Sequence, residues 1–172
     1  MLGRLLLQKG LKDFGFDSEK IEEIRFNQFE KPLLEGLSFS ISHSKNMVVC
    51  ALSQSARLGV DIEVDGKVKL NDLKSFFTDK EWSDITSAKN QRRRLFQYWT
   101  RKESILKAIG TGLAKLEDIH LLDEKRGFHK IRSDIWHFYE LDLGKTCITT
   151  LCVDTHPIEL KINPFSVGDS LI

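Results

Sequence analysis

Apolar positions along this chain recur with two periods, and the places where one gives way to the other mark out the elements. An amphipathic helix is predicted over about Leu2–Phe14, followed by a polar stretch to Phe26. The period then drops to two, predicting strands near Ser38–Ser42, Met47–Ser53 and Leu58–Val64. Helical spacing returns near Asn71–Phe77, Asp79–Ser87 and Gln91–Ile109. Strands are predicted again near Asp118–Leu122, His129–Arg132, Ile135–Leu143, Thr146–Val153 and Ile158–Ile162. Helices set against short antiparallel strands make the expected class α+β.

Three stretches set charged or hydrogen-bonding groups into apolar patterns. In Leu58-Gly59-Val60-Asp61-Ile62-Glu63-Val64, the apolar residues alternate inward, so Asp61 and Glu63 are expected to point out together. That is more often the pattern of a solvated sheet face than of two like charges that a hard divalent cation would relieve, and it becomes specific only alongside Glu103. In the helix predicted over Gln91–Ile109, Phe96, Trp99, Glu103, Leu106 and Gly110 share a face, so Glu103 interrupts an apolar stripe. Burying a lone carboxylate is costly, and Lys107 at i+4 or a metal ion would offset it. In Ser38-Phe39-Ser40-Ile41-Ser42-His43-Ser44, small hydroxyls stand opposite Phe39 and Ile41, and His43 reads either as a turn histidine or as a phosphate donor.

Composition narrows the class. At 172 residues, 41% hydrophobic and 30% charged, the chain has the make-up of a globular protein with one ample core or two small ones. A net charge of +1 provides no basic excess for general nucleic-acid binding. No apolar run approaches the ~18 residues needed to span a membrane. Cys50, Cys147 and Cys152 sit in apolar strand-like runs without ligand spacing, so free thiols in a reducing, cytoplasmic setting are expected.

Taken in chain order, Ser-Ile-Ser-His-Ser, Gly-Val-Asp-Ile-Glu and Trp-x-x-Lys-Glu-x-x-x-Lys-Ala resemble the motifs of the 4'-phosphopantetheinyl transferases of the Sfp-like group. The likeness extends to Phe29-Glu30-Lys31-Pro32, Phe76-Phe77-Thr78-Asp79-Lys80-Glu81-Trp82 and Gly110-x-Gly112-Leu113, about residues 1–120 in all. It implies magnesium-dependent transfer of the phosphopantetheine arm of coenzyme A to a serine of an acyl or peptidyl carrier protein, with 3',5'-ADP released. By position, Asp61, Glu63 and Glu103 would hold Mg²⁺, and Lys107 would lie against the pyrophosphate. Ser42 and His43 would meet the coenzyme phosphates, and Lys31 with Pro32 the nucleotide end. The base that deprotonates the carrier serine would be Glu103 or Glu81, in some members through a metal-bound water. Glu81 also completes the capping box Thr78-Asp79-Lys80-Glu81, and Lys102 reads as a phosphate or active-site contact or as a solvated helix lysine.

The resemblance further implies two pseudo-equivalent halves, 1–65 and 66–172, and Lys45–Leu52 and Lys145–Cys152 are faintly alike. In longer members the Leu2-Gly3-Arg4 stretch lies inside the first half after a basic segment, so that half is expected to be shortened, with fewer phosphate contacts. Arg92-Arg93-Arg94 at a helix start reads as a solvated end or as a surface for an acidic carrier helix. The expected state is a monomer or dimer without nucleic-acid or membrane partners. A non-catalytic coenzyme A or carrier-binding module is the alternative, against which the complete set Asp61, Glu63, Glu103 and Lys107 speaks.

Overall fold

The computed structural model describes residues 2–66, 68–111, 119–121, 128–131 and 134–165. Helix α1 (Leu2–Asp13) buries Leu7 and Leu11, and it ends at Gly15, whose φ of 80° suits a residue without a Cβ. A 3-10 turn (Ser18–Glu23), capped by the Asp17 carboxylate, leads to a short ribbon of β1 (Arg25–Phe26) and β2 (Pro32–Leu33). Strands β3 (Ser38–Ser44) and β4 (Met47–Ser53) form a hairpin in register from Ser38↔Ser53 to Ser44↔Met47. Phe39 on β3 packs with Leu7, Leu11, Ile21, Leu34 and Leu37 into one core.

Strand β5 (Leu58–Val64) is the edge of a second, antiparallel sheet. Its other members are β6 (Phe128–Ile131), β7 (Asp134–Leu141) and β8 (Cys147–Val153), in the order β5-β8-β7-β6. A 3-10 turn (Leu70–Phe76), α2 (Asp79–Ser87) and α3 (Gln91–Ile109) cover it. Ile85, Leu95, Ile105, Leu106, Trp136 and Cys152 form the larger core there.

The predicted α2, α3, β4 and β5 are present with the predicted bounds, and the helix expected at Asn71–Phe77 is the 3-10 turn. The strand expected at Ile158–Ile162 is not formed, because a strand needs a ladder and this segment pairs with no described strand. Ile158 packs beside Leu58 and Val60, whereas Leu160 and Ile162 are exposed. No strand covers 119–121, and the rest of the one expected at Asp118–Leu122, like Gly112 and Leu113, lies outside the described residues.

A larger correction concerns β5. Asp61 does not sit on a solvated face: it is 4% exposed, because α3 lies against that side of the strand. The approach is close at Gly59, where a Cβ would stand 2.0 Å from the Ser104 carbonyl oxygen and 2.4 Å from the Ala108 nitrogen. Only glycine permits that contact. The C-terminus of α3 is held as well. Gly110 takes φ 78°, Asn27 Nδ2 donates to its carbonyl at 3.0 Å, and Lys31 Nζ donates to the Ala108 carbonyl at 2.6 Å.

Gly59→Ala is expected to lower stability by about 3 kcal/mol or more, since backbone rather than a flexible side chain must give way. A urea midpoint equal to that of the parent chain would contradict the close approach of α3 to β5.

Candidate functional site

Three elements meet along β5. Below Gly59, Asp61 and Glu63 project on the side that α3 covers, with Glu103 and Lys107 coming from α3 and Ser42 and Ser44 from β3. Lys107 Nζ donates to Asp61 Oδ1 at 2.7 Å and to Ser42 Oγ at 2.9 Å, and Ser42 Oγ donates to the same Asp61 oxygen at 2.7 Å. Ser44 Oγ donates to Glu63 Oε2 at 2.9 Å. Sequence reasoning passes over Ser44; the signal for it was the alternation of Ser40, Ser42 and Ser44 along one strand face.

The carboxylates raise one another's cost of ionisation. Burial, then the neighbouring Asp61 charge, pushes Glu103 up to about 7, against the pull of Lys107. Burial also raises Asp61, with Lys107 and Ser42 opposing it. Glu63 is raised by burial and by Asp61, and held down by its bond from Ser44 and by the charges of Lys107 and His43. His43 is exposed near the end of β3.

Not every expected residue comes to this group. Glu81 is 1% exposed and closes the capping box of α2: its Oε2 accepts from Thr78 N–H at 2.8 Å and from Lys102 Nζ at 2.9 Å. Its Oε1 accepts from Leu121 N–H at 2.7 Å. Lys102 is neither a solvated lysine nor an exposed phosphate contact. It is fully buried, donates also to the Phe76 carbonyl at 2.8 Å, and lies over the Phe77 ring. The pair ties α2, α3 and the 119–121 segment together. Lys31 and Pro32 line a cavity of about 380 Å³ with Phe39, Arg57 and Ile109. Burial and the Arg57 charge lower the Lys31 pKa. Within the arginine run, Arg92 reaches Asp65 and Arg94 reaches Asp84 at the surface.

A family model described as the 4'-phosphopantetheinyl transferase superfamily matches residues 57–152, more than half of the chain. The chain belongs to that superfamily. It is 33% identical over 134 residues to the 4'-phosphopantetheinyl transferase HetI of a Nostoc species, a match covering 72% of this chain and 56% of that protein. It is 36% identical over 117 residues to the transferase gsp of Aneurinibacillus migulanus, covering 66% and 48%. With the transferase Sfp of Bacillus subtilis the figures are 35% over 99 residues, 54% and 44%. The chain thus spans about half the length of the curated relatives it matches. Mixed helices and antiparallel sheet agree with the superfamily. Asp61, Glu63, Glu81, Lys102, Glu103 and Lys107 fall inside the matched span; Lys31, Pro32, Ser42 and His43 precede it. No helix among the described residues is long and apolar enough to cross a membrane.

Among the described residues, no three carboxylate, imidazole or thiol groups form a ready-made metal cluster. The donor set nonetheless fits a hard cation. Asp61 Oδ2 is buried without a hydrogen-bond partner, and the groups around it are oxygens whose ionised forms are short of positive charge.

Glu103 binds its proton more tightly folded than unfolded, so its contribution to stability is full below about pH 4.3 and is lost as pH rises through about 7. The thermal midpoint of the metal-free chain is expected to fall across that window, and Glu103→Gln to flatten the fall. Magnesium is expected to raise the midpoint more at pH 8 than at pH 5; parallel profiles for parent and variant would contradict this electrostatic picture.

Glu81→Ala, which strands a buried ammonium, is expected to cost about 3–5 kcal/mol, with Glu81→Leu combined with Lys102→Met recovering much of it. A Glu81→Ala chain of parental stability but without activity would instead make Glu81 a catalytic base.

Proposed function

We propose that the chain transfers the 4'-phosphopantetheine arm of coenzyme A to a serine hydroxyl of an acyl or peptidyl carrier protein, releasing 3',5'-ADP, with Mg²⁺ required. The observation that carries this reading is the convergence of Asp61, Glu63, Glu103, Lys107 and Ser42 where β3, β5 and α3 meet, within a chain of this superfamily. Asp61, Glu63 and Glu103 would hold the ion. When bound, it would neutralise pyrophosphate charge and polarise the bond to be broken. The nucleotide end of coenzyme A would take the Lys31–Pro32 cavity, and His43 with Ser42 its phosphates.

In the step itself the carrier serine loses its proton and its oxygen attacks the phosphorus that bears the pantetheine arm. The bond from that phosphorus to the bridging oxygen breaks, and 3',5'-ADP leaves with the electron pair. Glu103, beside the ion it would help to hold, is the candidate to take the serine proton, directly or through a metal-bound water. Lys107 would offset the charge that grows on the leaving phosphate. Two halves, 1–65 and 66–172, are the arrangement we infer around the coenzyme; helix α1 on the β3–β4 hairpin and α3 on the β5–β8 sheet support it. The three cysteines, free and two of them buried, support a reducing, cytoplasmic location.

Mass spectrometry of an apo carrier protein after incubation with the chain, coenzyme A and Mg²⁺ tests the reading. One added phosphopantetheinyl group is expected. Asp61→Ala and Glu103→Ala should each lower the rate by at least about a hundredfold with the fold retained, and Glu63→Ala less. Lys107→Ala should reduce kcat more than coenzyme A affinity, and His43→Ala mainly affinity. Coenzyme A binding with no transfer to any carrier would favour the non-catalytic module.

A further inference from the structure

Strand β5 has two edges. One pairs with β8, and the other would leave the N–H groups of Val60, Ile62 and Val64 unpaired if β3 did not meet them. It meets them with side chains. Val60 N–H donates to Ser40 Oγ at 3.1 Å, Ile62 N–H to Ser42 Oγ at 3.4 Å and Val64 N–H to Ser44 Oγ at 3.1 Å. A carbonyl could accept these protons but has none to pass on, whereas a hydroxyl accepts and donates at once. Ser42 and Ser44 do both, each donating to the carboxylate one residue before the N–H it receives: Asp61 from Ser42 and Glu63 from Ser44.

The three rungs are equivalent except for what precedes them. At Ser40 the preceding residue is Gly59, which has no side chain and lies against α3. At Ser42 the hydroxyl is fully used, donating to Asp61 and accepting from both Ile62 and Lys107. At Ser44 the hydroxyl serves Val64 and Glu63 alone among the described residues. Glu63 is the longer and less buried of the two β5 carboxylates, and no cation contacts it directly among the described residues. Without a tether it would sample several rotamers, some directed to solvent.

We propose that Ser44 is a positioning residue, whose hydroxyl uses the β5 backbone as a fixed anchor to hold Glu63 turned toward Asp61, Glu103 and Lys107, ready for a divalent cation. This rests on the reading that Glu63 faces the ion. Ser40 is its built-in control: it makes the same bond to the same strand edge and addresses no carboxylate.

The test is Mn²⁺ affinity of the full chain, measured by electron paramagnetic resonance of the free ion, beside the thermal midpoint. Ser44→Ala and Ser40→Ala are expected to lower the midpoint similarly, since each unpairs one N–H. Only Ser44→Ala should weaken Mn²⁺ binding, by about tenfold, as loss of a hydrogen bond orienting a ligand does. On a Glu63→Ala background, Ser44→Ala should weaken it no further. If the alanine variant does not fold, Ser44→Thr and Ser44→Val decide: equal in shape, they should differ by the same factor. Ser44→Ala within twofold of the parent, or Ser40→Ala losing as much, overturns the proposal. A parent chain that binds no Mn²⁺, or a Glu63→Ala chain that binds it as well as the parent, overturns the metal reading itself and the positioning role with it.

Discussion

The contact of α3 with β5 at Gly59 sets every distance across the candidate site. With a glycine there, helix backbone and strand backbone touch, and side chains two and four residues further along β5 fall within reach of the next turns of α3. Asp61 and Lys107 then meet at 2.7 Å without either side chain being extended through solvent. With a wider spacing, water would enter, the carboxylates would lose their shared low-dielectric setting, and the elevation of Glu103 to about 7 would lapse. The acidic group is therefore a product of backbone packing as much as of charge.

Two further devices hold α3 in that place. At its C-terminal end, Asn27 and Lys31 reach over from the loop between β1 and β2 to satisfy orphan carbonyls. At its middle, Lys102 is anchored by Glu81 and the Phe76 carbonyl on the side away from β5. A buried ion pair of this kind contributes little net stability compared with an apolar pair, yet losing one partner is costly, so it fixes one arrangement against alternatives. Lys102 and Glu103 are consecutive, and their side chains leave the helix in different directions. One locks α3 to its neighbours and the other faces β5.

Much of this could be read from residue order. Period-two runs placed β4 and β5, a capping box placed the start of α2, and helical spacing placed α3. Glu103 stood out because its charge interrupted an apolar stripe, Asp61 and Glu63 because two like charges shared one strand face, and the structure sets the three within electrostatic reach of one another. What one-dimensional pattern could not supply was the second layer. Alternation in β5 looks the same whether its polar face meets water or a helix, so the burial of Asp61 was hidden. Lys102 looked like any helix lysine because its partner Glu81 is 21 residues away. The serine rungs were visible as alternation but not as bonds, since hydroxyls at every second residue suit a solvated face equally well.

We propose that Asp61, Glu63 and Glu103 form one cation site that acts with coenzyme A. An anomalous-difference map from a crystal of the chain grown with Mn²⁺ and coenzyme A tests it directly. A single manganese peak in contact with Asp61 and Glu103, with coenzyme phosphate oxygens on its other side and the Lys107 ammonium moved from Asp61 toward those phosphates, is the predicted result. A peak elsewhere, or coenzyme A bound with Lys107 still on Asp61 and no manganese beside it, would contradict the account.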